Sequence, residues 1–319
     1  MLDKSGVKSH GNFVALVVRH QTALFFVVAF LISWTIWFLS PVLSTGDNDA
    51  KLVITLIGAY GPAFAAIIVS SITSPERSGI KSVRRWGVFV LMFLIVNVIW
   101  LLSTEKFGSF NPGNSVLFAS KLILAVFVAF VISGMFSSRK GVSDLLLPLT
   151  IWRVKPIWYL IVLLGIPLLI VVAIYLAWLL DAPFPEQFNF VQPQPWSQLL
   201  PGLLLAYIQT MLFQGPLNEE PGWRGFALPK LQKTFGSIIA SIMIGVIWGF
   251  WHAPLYWTGI YSGGIEEMLG RLLWTIPLAF LFTWVYKHTQ GSLLMSILLH
   301  TSVNFQGDIS SVVLQALLR

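Results

Sequence analysis

The sequence predicts an all-α fold, a polytopic membrane helical bundle with about 8–9 transmembrane helices of ~20 apolar residues each. Three observations carry this. Hydrophobic residues fill 56% of the 319 positions and charged residues 10%, where a soluble domain carries about 25% charged. Mean hydropathy is +0.79. The apolar residues gather in long runs, without the ~10-residue alternation of a membrane β-barrel. Helices follow because hydrocarbon offers no partner to an unpaired backbone group.

The chain opens with a polar, basic segment, 1–21, carrying Lys4, Lys8 and Arg19, expected to be cytoplasmic. The first span is 22–39. It is longer than the apolar part of a signal peptide, and no small-residue cleavage pattern follows it. Further spans are expected at 52–72, 86–103, 117–136, 156–180, 198–215, 235–251, 272–286 and 293–305. The fourth carries Lys121 near its start, and the last two are short. Segment 22–194 is the N-terminal transmembrane region, 195–306 the motif-bearing core and 307–319 a tail. The connection 181–196, with Pro183, Pro185, Pro193 and Pro195 among aromatics, is expected at the outer interface as a lid or edge.

Charge in the loops orients the bundle. Arg77, Lys81, Arg84 and Arg85 follow the second span, and Arg139, Lys140, Arg153 and Lys155 the fourth. Arg224, Lys230 and Lys233 follow the sixth, and Lys287 and His288 the eighth. The alternate loops hold Asp47, Asp49 and Lys51, then Glu105 and Lys106, Asp181 and Glu186, and Glu266 and Glu267. An excess of Lys and Arg marks cytoplasmic loops, so the N-terminus is expected inside. The net charge of +7 belongs to this pattern. No basic cluster with interleaved exposed aromatics supports nucleic-acid binding. With no cysteine in the chain, disulfide and thiolate chemistry are excluded.

Ionisable residues inside a bilayer are costly and point to function. Three groups of polar residues stand out in the last third. The first is Asn218-Glu219-Glu220-Pro221-Gly222-Trp223-Arg224-Gly225, after a break at Gly215-Pro216. Asn218 suits an N-cap and Pro221 a first turn, which predicts a helix starting at the glutamates. Glu220 and Arg224, four apart, can pair. Glu219 has Trp223 as its four-apart neighbour, an apolar wall, which suits a general base. Alternatively both glutamates merely cap a helix at the membrane face. The second group ends in Trp248-Gly249-Phe250-Trp251-His252, where Trp248 and His252 share a face. His252 equally suits an interfacial belt. The third is His300-Thr301-Ser302-Val303-Asn304. His300 and Asn304 project together and can donate to a developing oxyanion, or serve as interhelical polar glue. Ser302 lies on another face. Glu219, His252 and His300 could also ligate a metal, although no His-Glu-x-x-His helix is present.

Glu219-Glu220-x-x-x-Arg224, Trp248-x-x-x-His252 and His300-x-x-x-Asn304, in this order, resemble the CAAX-protease and bacteriocin-processing (CPBP, or Abi) family of intramembrane endopeptidases. The resemblance covers about Pro195 to Gln306. It implies that Glu219, together with His252, activates the hydrolytic water. It further implies that His300 and Asn304 stabilise the oxyanion, and that Glu220 and Arg224 form a structural pair. No cofactor is expected. The implied partners are a membrane-associated peptide or protein substrate and the lipid bilayer, in a bacterial inner membrane. Trp248 stands where many members have Phe, a conservative change. Segment 86–136 is extra membrane content relative to a compact member.

Other classes compete with the protease reading. A metal-dependent protease would use the same residues. A non-catalytic binding or immunity protein would keep the fold. A transporter should show broken helices in two similar halves, whereas the polar residues here crowd one end of the chain. One distance constrains the site. At ~1.5 Å per residue, Lys233 to His252 spans roughly 30 Å. Glu219 can reach His252 if the sixth span bends at Gly215-Pro216 and continues as helix to about Lys230. The site is then expected within the bilayer, towards the outer face.

Overall fold

The computed structural model describes residues 14–102, 115–180 and 196–306. The connection 181–196, apart from its last residue, the Glu105–Lys106 loop, most of the N-terminal segment and the 307–319 tail lie outside the described residues. Among the described residues the fold is all-α, a polytopic membrane bundle. Seven helical runs are long and apolar enough to cross a membrane, and a shorter apolar helix follows them.

The long helices are α1 (Gln21–Leu43), α2 (Asn48–Gly58), α3 (Gly61–Thr73), α4 (Ser82–Leu102) and α5 (Ser115–Ser133). A short α6 (Lys140–Leu146) precedes α7 (Pro156–Leu179) and α8 (Trp196–Phe213). Then come α9 (Pro216–Glu220), a π-helical segment (Pro221–Ala227), α10 (Leu228–Trp251), α11 (Ala253–Trp257), α12 (Ile265–His288) and α13 (Leu293–Asn304). The expected span 52–72 is divided into α2 and α3. The break falls just before Gly61-Pro62, where Pro62 has no N–H to continue the ladder. The expected 272–286 span is a full α12, because Glu266 and Glu267 form its first turn rather than a loop.

Where helices approach closely, glycine makes room, as small residues do in bilayers. A Cβ on Gly61 would stand 2.6 Å from the Ala29 carbonyl oxygen, so α3 rests on the α1 backbone. A Cβ on Gly245 would meet the Ile276 Cα at 2.6 Å, and one on Gly249 the Thr275 Oγ1 at 2.6 Å. These two glycines, four apart, lay α10 along α12. Thr275 donates to the Gly245 carbonyl at 2.8 Å, and Ser241 donates to Thr283 Oγ1 at 2.8 Å.

The loops sort by charge. The 73–85 and 137–155 loops are joined by Lys140 N–H to Glu76 O (2.8 Å), Gly141 N–H to Ser74 O (3.1 Å) and Ser78 N–H to Ser138 O (2.9 Å). Ser292 donates to Ile151 O at 2.6 Å, which brings the Lys287–His288 turn to the same end. Lys51 donates to Thr258 O at 3.0 Å, so the first turn of α2, where Asp49 and Lys51 lie rather than in a loop, meets the turn before Glu266. The basic loops thus share one end of the bundle. Arg224 and Lys230 are not loop charges: Arg224 is buried within the π-helical segment and Lys230 sits over the Phe226 ring at 4.2 Å.

Candidate active site

The site begins at the break between α8 and α9. Gly215 has φ +116°, a conformation that favours glycine, and it lets the chain restart a helix at Pro216. A helix end leaves carbonyls without partners. Here side chains supply them: Tyr60 OH donates to Leu212 O at 3.1 Å, Asn218 Nδ2 to Phe213 O at 3.4 Å and Asn304 Nδ2 to Gln214 O at 2.6 Å. Asn218 is therefore not the N-cap. Gly215 occupies that position, and Asn218 lies inside the new helix facing back.

Past the glutamates the backbone widens into the π-helical segment Pro221–Ala227. Pro221 offers no N–H to the turn behind it, and such bulges concentrate at functional sites. A Cβ on Gly222 would lie 2.6 Å from Pro62 O, so this segment rests directly on α3. It places Trp223 and Arg224 on different sides of the helix. Helix then continues to Gly236, whose φ of 77° and ψ of 170° break it. The helical run from Pro216 thus extends past Lys230. The straight 30 Å rise from Lys233 to His252 does not apply, because the positive-φ break at Gly236 turns the chain.

Glu219 is buried, and both donors to it are tryptophans. Trp248 Nε1 donates to Glu219 Oε2 at 2.6 Å and Trp223 Nε1 donates to the same oxygen at 3.2 Å. Trp223 is thus a donor as well as an apolar wall. Its ring packs edge-on against Phe25 (5.7 Å) and Trp251 (5.7 Å). The four-residue spacing accounts for the proximity of Trp223 to Glu219. Its donor role follows from the polar tip of an otherwise apolar side chain.

Glu220 and Arg224 face away from Glu219 and are 0% and 1% exposed. Arg224 Nη1 donates to Glu220 Oε1 at 2.9 Å. The guanidinium lies over the rings of Phe282 (3.8 Å) and Trp248 (4.8 Å). His300 Nδ1 contacts the same Glu220 oxygen at 2.7 Å. That contact joins residues 80 apart in sequence, and no spacing rule reveals it.

A point beside Gly215 gathers the remaining groups. A Cβ built there would lie 2.8 Å from Glu219 Oε1, 2.9 Å from Asn304 Nδ2 and 3.3 Å from His300 Nε2. Glycine leaves this space open. Asn304 is exposed to it rather than buried. His252 is buried, and its Nδ1 lies 2.8 Å from Trp248 O. Since a carbonyl only accepts, Nδ1 carries a proton and Nε2 is the free nitrogen.

Glu219, His252, His300 and Asn304 all line one cavity of about 830 Å³, together with Trp248, Gly215, Tyr261 and Arg271. Glu220 and Arg224 lie behind it. Ser302 is buried and contacts Tyr207 OH at 3.3 Å, outside the cavity lining. Among the described residues no three His, Asp or Glu side chains are grouped closely enough to hold a metal ion.

Fold and site together define a multi-pass helical membrane protein with a buried polar core of glutamates, histidines and an asparagine. Residues 200–306 match the family described as type II CAAX prenyl endopeptidase Rce1-like. The chain is also similar to "CAAX prenyl protease 2" of Methanococcus maripaludis, 25% identical over 240 residues that cover 70% of this chain and 84% of the relative. Residues 200–306 are thus similar to Rce1-like CAAX endopeptidases. The matched segment contains Glu219, Glu220, Arg224, His252, His300 and Asn304.

Proposed function

We propose that the chain is an intramembrane endopeptidase that hydrolyses a peptide bond of a membrane-associated protein or peptide with a glutamate-activated water. The observation that carries this is the meeting of Glu219 Oε1, His300 Nε2 and Asn304 Nδ2 beside Gly215, on the wall of a cavity. Similarity to a CAAX prenyl protease supports a substrate held at the bilayer.

Two indole N–H groups fix Glu219 Oε2 and leave Oε1 to a water. Oε1 takes the water's proton as the oxygen attacks the scissile carbonyl. The free Nε2 of His252 accepts a hydrogen bond from the same water. The carbonyl becomes a tetrahedral oxyanion facing His300 and Asn304. Asn304 has a second N–H beyond the one given to Gln214 O. His300 Nδ1 lies against the Glu220 carboxylate, and its Nε2 faces the oxyanion. Fixed donors aimed at developing charge are worth far more in a water-poor site than in bulk water. Collapse breaks the C–N bond, and the proton on Glu219 passes to the leaving amine. Glu220 and Arg224 are positioning residues that hold His300. The shared basic end of the bundle supports a cytoplasmic N-terminus.

Purified protein in detergent, offered a quenched-fluorescence peptide library with and without chelator, tests this. Cleavage unaffected by chelator supports the reading. Cleavage abolished by chelator replaces it with metal-assisted hydrolysis. No cleavage by folded protein favours the binding or immunity reading.

A further inference from the structure

The cavity holds a cation that the hydrolytic machinery does not use. Arg271, on α12, lines the same cavity as Glu219 and His252. Its guanidinium has five N–H donors in a planar fork. Nε donates to Tyr256 OH at 2.9 Å, and Cζ lies over the Tyr261 ring at 4.7 Å. Tyr256 OH in turn donates to Glu267 O at 3.4 Å. These contacts hold the side chain in place, and Nη1 and Nη2 have no partner among the described residues.

A carboxylate is the missing complement. Arg271 is half-buried, and a cation in such a place normally pairs with an acid. Two acids line the cavity. Glu219 is held by Trp223 and Trp248. Glu267, one turn before Arg271, accepts the Gly264 N–H at 2.6 Å and makes no ion pair with it. The free edge of the guanidinium matches a carboxylate bidentately, which a lysine could not reproduce.

The position suits a peptide substrate. Tyr261 stacks on His252, with centroids 6.2 Å apart, and Arg271 sits on Tyr261. Arg271 is therefore two contacts from the groups that would attack the scissile bond. At ~3.3–3.6 Å per extended residue, a short peptide segment bridges that gap.

We propose that Arg271, positioned by Tyr256 and Tyr261, is a carboxylate-binding specificity residue that anchors the peptide substrate a short, fixed distance from the scissile bond. The inference rests on the endopeptidase reading for its orientation, and it can fail separately. The carboxylate comes from the substrate's C-terminus or from an Asp or Glu side chain.

The test is binding, so it needs no turnover. Fluorescent peptides of one sequence, ending either in a free acid or in an amide, are titrated by anisotropy into detergent-solubilised Glu219→Gln protein. A third peptide is amidated and carries Glu as its last residue. The acid should bind roughly tenfold or more tightly than the amide, as expected for a charge-assisted bidentate contact. Arg271→Ala should bring that ratio close to one, Arg271→Lys should leave part of it, and Tyr256→Phe should lower it. Thermal shifts identify variants that fail to fold. If the amidated Glu peptide matches the acid, the site reads a side chain, and if it matches the amide, the site reads the C-terminus. Equal binding of acid and amide, an Arg271→Ala variant that keeps the preference, or no binding of any peptide overturns the proposal. An Arg271-dependent preference in a protein that cleaves nothing sinks the endopeptidase reading alone. Cleavage of acid and amide peptides alike, with no difference in binding, sinks this inference alone.

Discussion

The indole Nε1 of Trp248 lies 2.6 Å from Oε2 of Glu219, the shorter of two tryptophan contacts to that oxygen. Trp248→Phe keeps an aromatic ring and removes the donor. The expected result is a kcat lowered roughly tenfold to hundredfold with KM little changed, since the lost contact orients a reacting group. Trp223→Phe, removing the 3.2 Å contact, should have the smaller effect. Steady-state kinetics on a fluorogenic peptide check both.

Glu220 is shared by Arg224 and His300 with essentially no solvent contact. Glu220→Ala leaves a buried guanidinium without its acid. Removing one member of a buried ion pair costs about 3–5 kcal/mol, so the thermal midpoint in detergent should fall sharply. The double variant Glu220→Ala/Arg224→Met removes the stranded charge and should recover part of that loss. A double variant no more stable than Glu220→Ala would show that the pair is not the source.

The contrast between these contacts explains what the sequence could reveal. The apolar runs at 22–39, 156–180 and 293–305 correspond closely to α1, α7 and α13, because hydrocarbon demands length and apolarity. The Glu220–Arg224 and Glu219–Trp223 contacts lie within one helix, where four-residue spacing governs. The contacts of Glu219 with Trp248 and of Glu220 with His300 join different helices and follow from packing, which no local pattern encodes. The same holds for Arg271, which reads as an ordinary charge near a helix start. The break at Gly236 was also hidden, since glycine is common in membrane helices and marks a break only through its φ and ψ.

Gly215 combines a positive φ with a space requirement. A methyl group there would stand 2.8 Å from Glu219 Oε1 and 2.9 Å from Asn304 Nδ2. Gly215→Ala should therefore destroy peptide cleavage. Its stability should drop by about 1–3 kcal/mol, the usual cost of a strained backbone position. Activity and thermal unfolding, measured on the same preparation, check this. Full activity would place the reacting water elsewhere.

The α10–α12 interface carries both His252 and Arg271 at its edge. A Cβ on Gly249 would meet Thr275 Oγ1 at 2.6 Å and Leu272 Cδ2 at 2.8 Å. Gly249→Leu should force these helices apart and destabilise the protein by roughly 1–3 kcal/mol or more. Gly87→Leu on α4, where a Cβ meets nothing within 4 Å, should be close to neutral. Thermal shift in one detergent compares the two.

Replacing Glu219 by Gln separates a side chain that takes a proton from water from one that only accepts hydrogen bonds. The change preserves shape and removes the capacity to take a proton from water. Single-turnover cleavage of a quenched peptide is compared for parent and Glu219→Gln protein of matched thermal stability. The expected result is a folded variant that still binds peptide and cleaves it at least ~100-fold more slowly. A folded Glu219→Gln protein that cleaves at the parent's rate would contradict it.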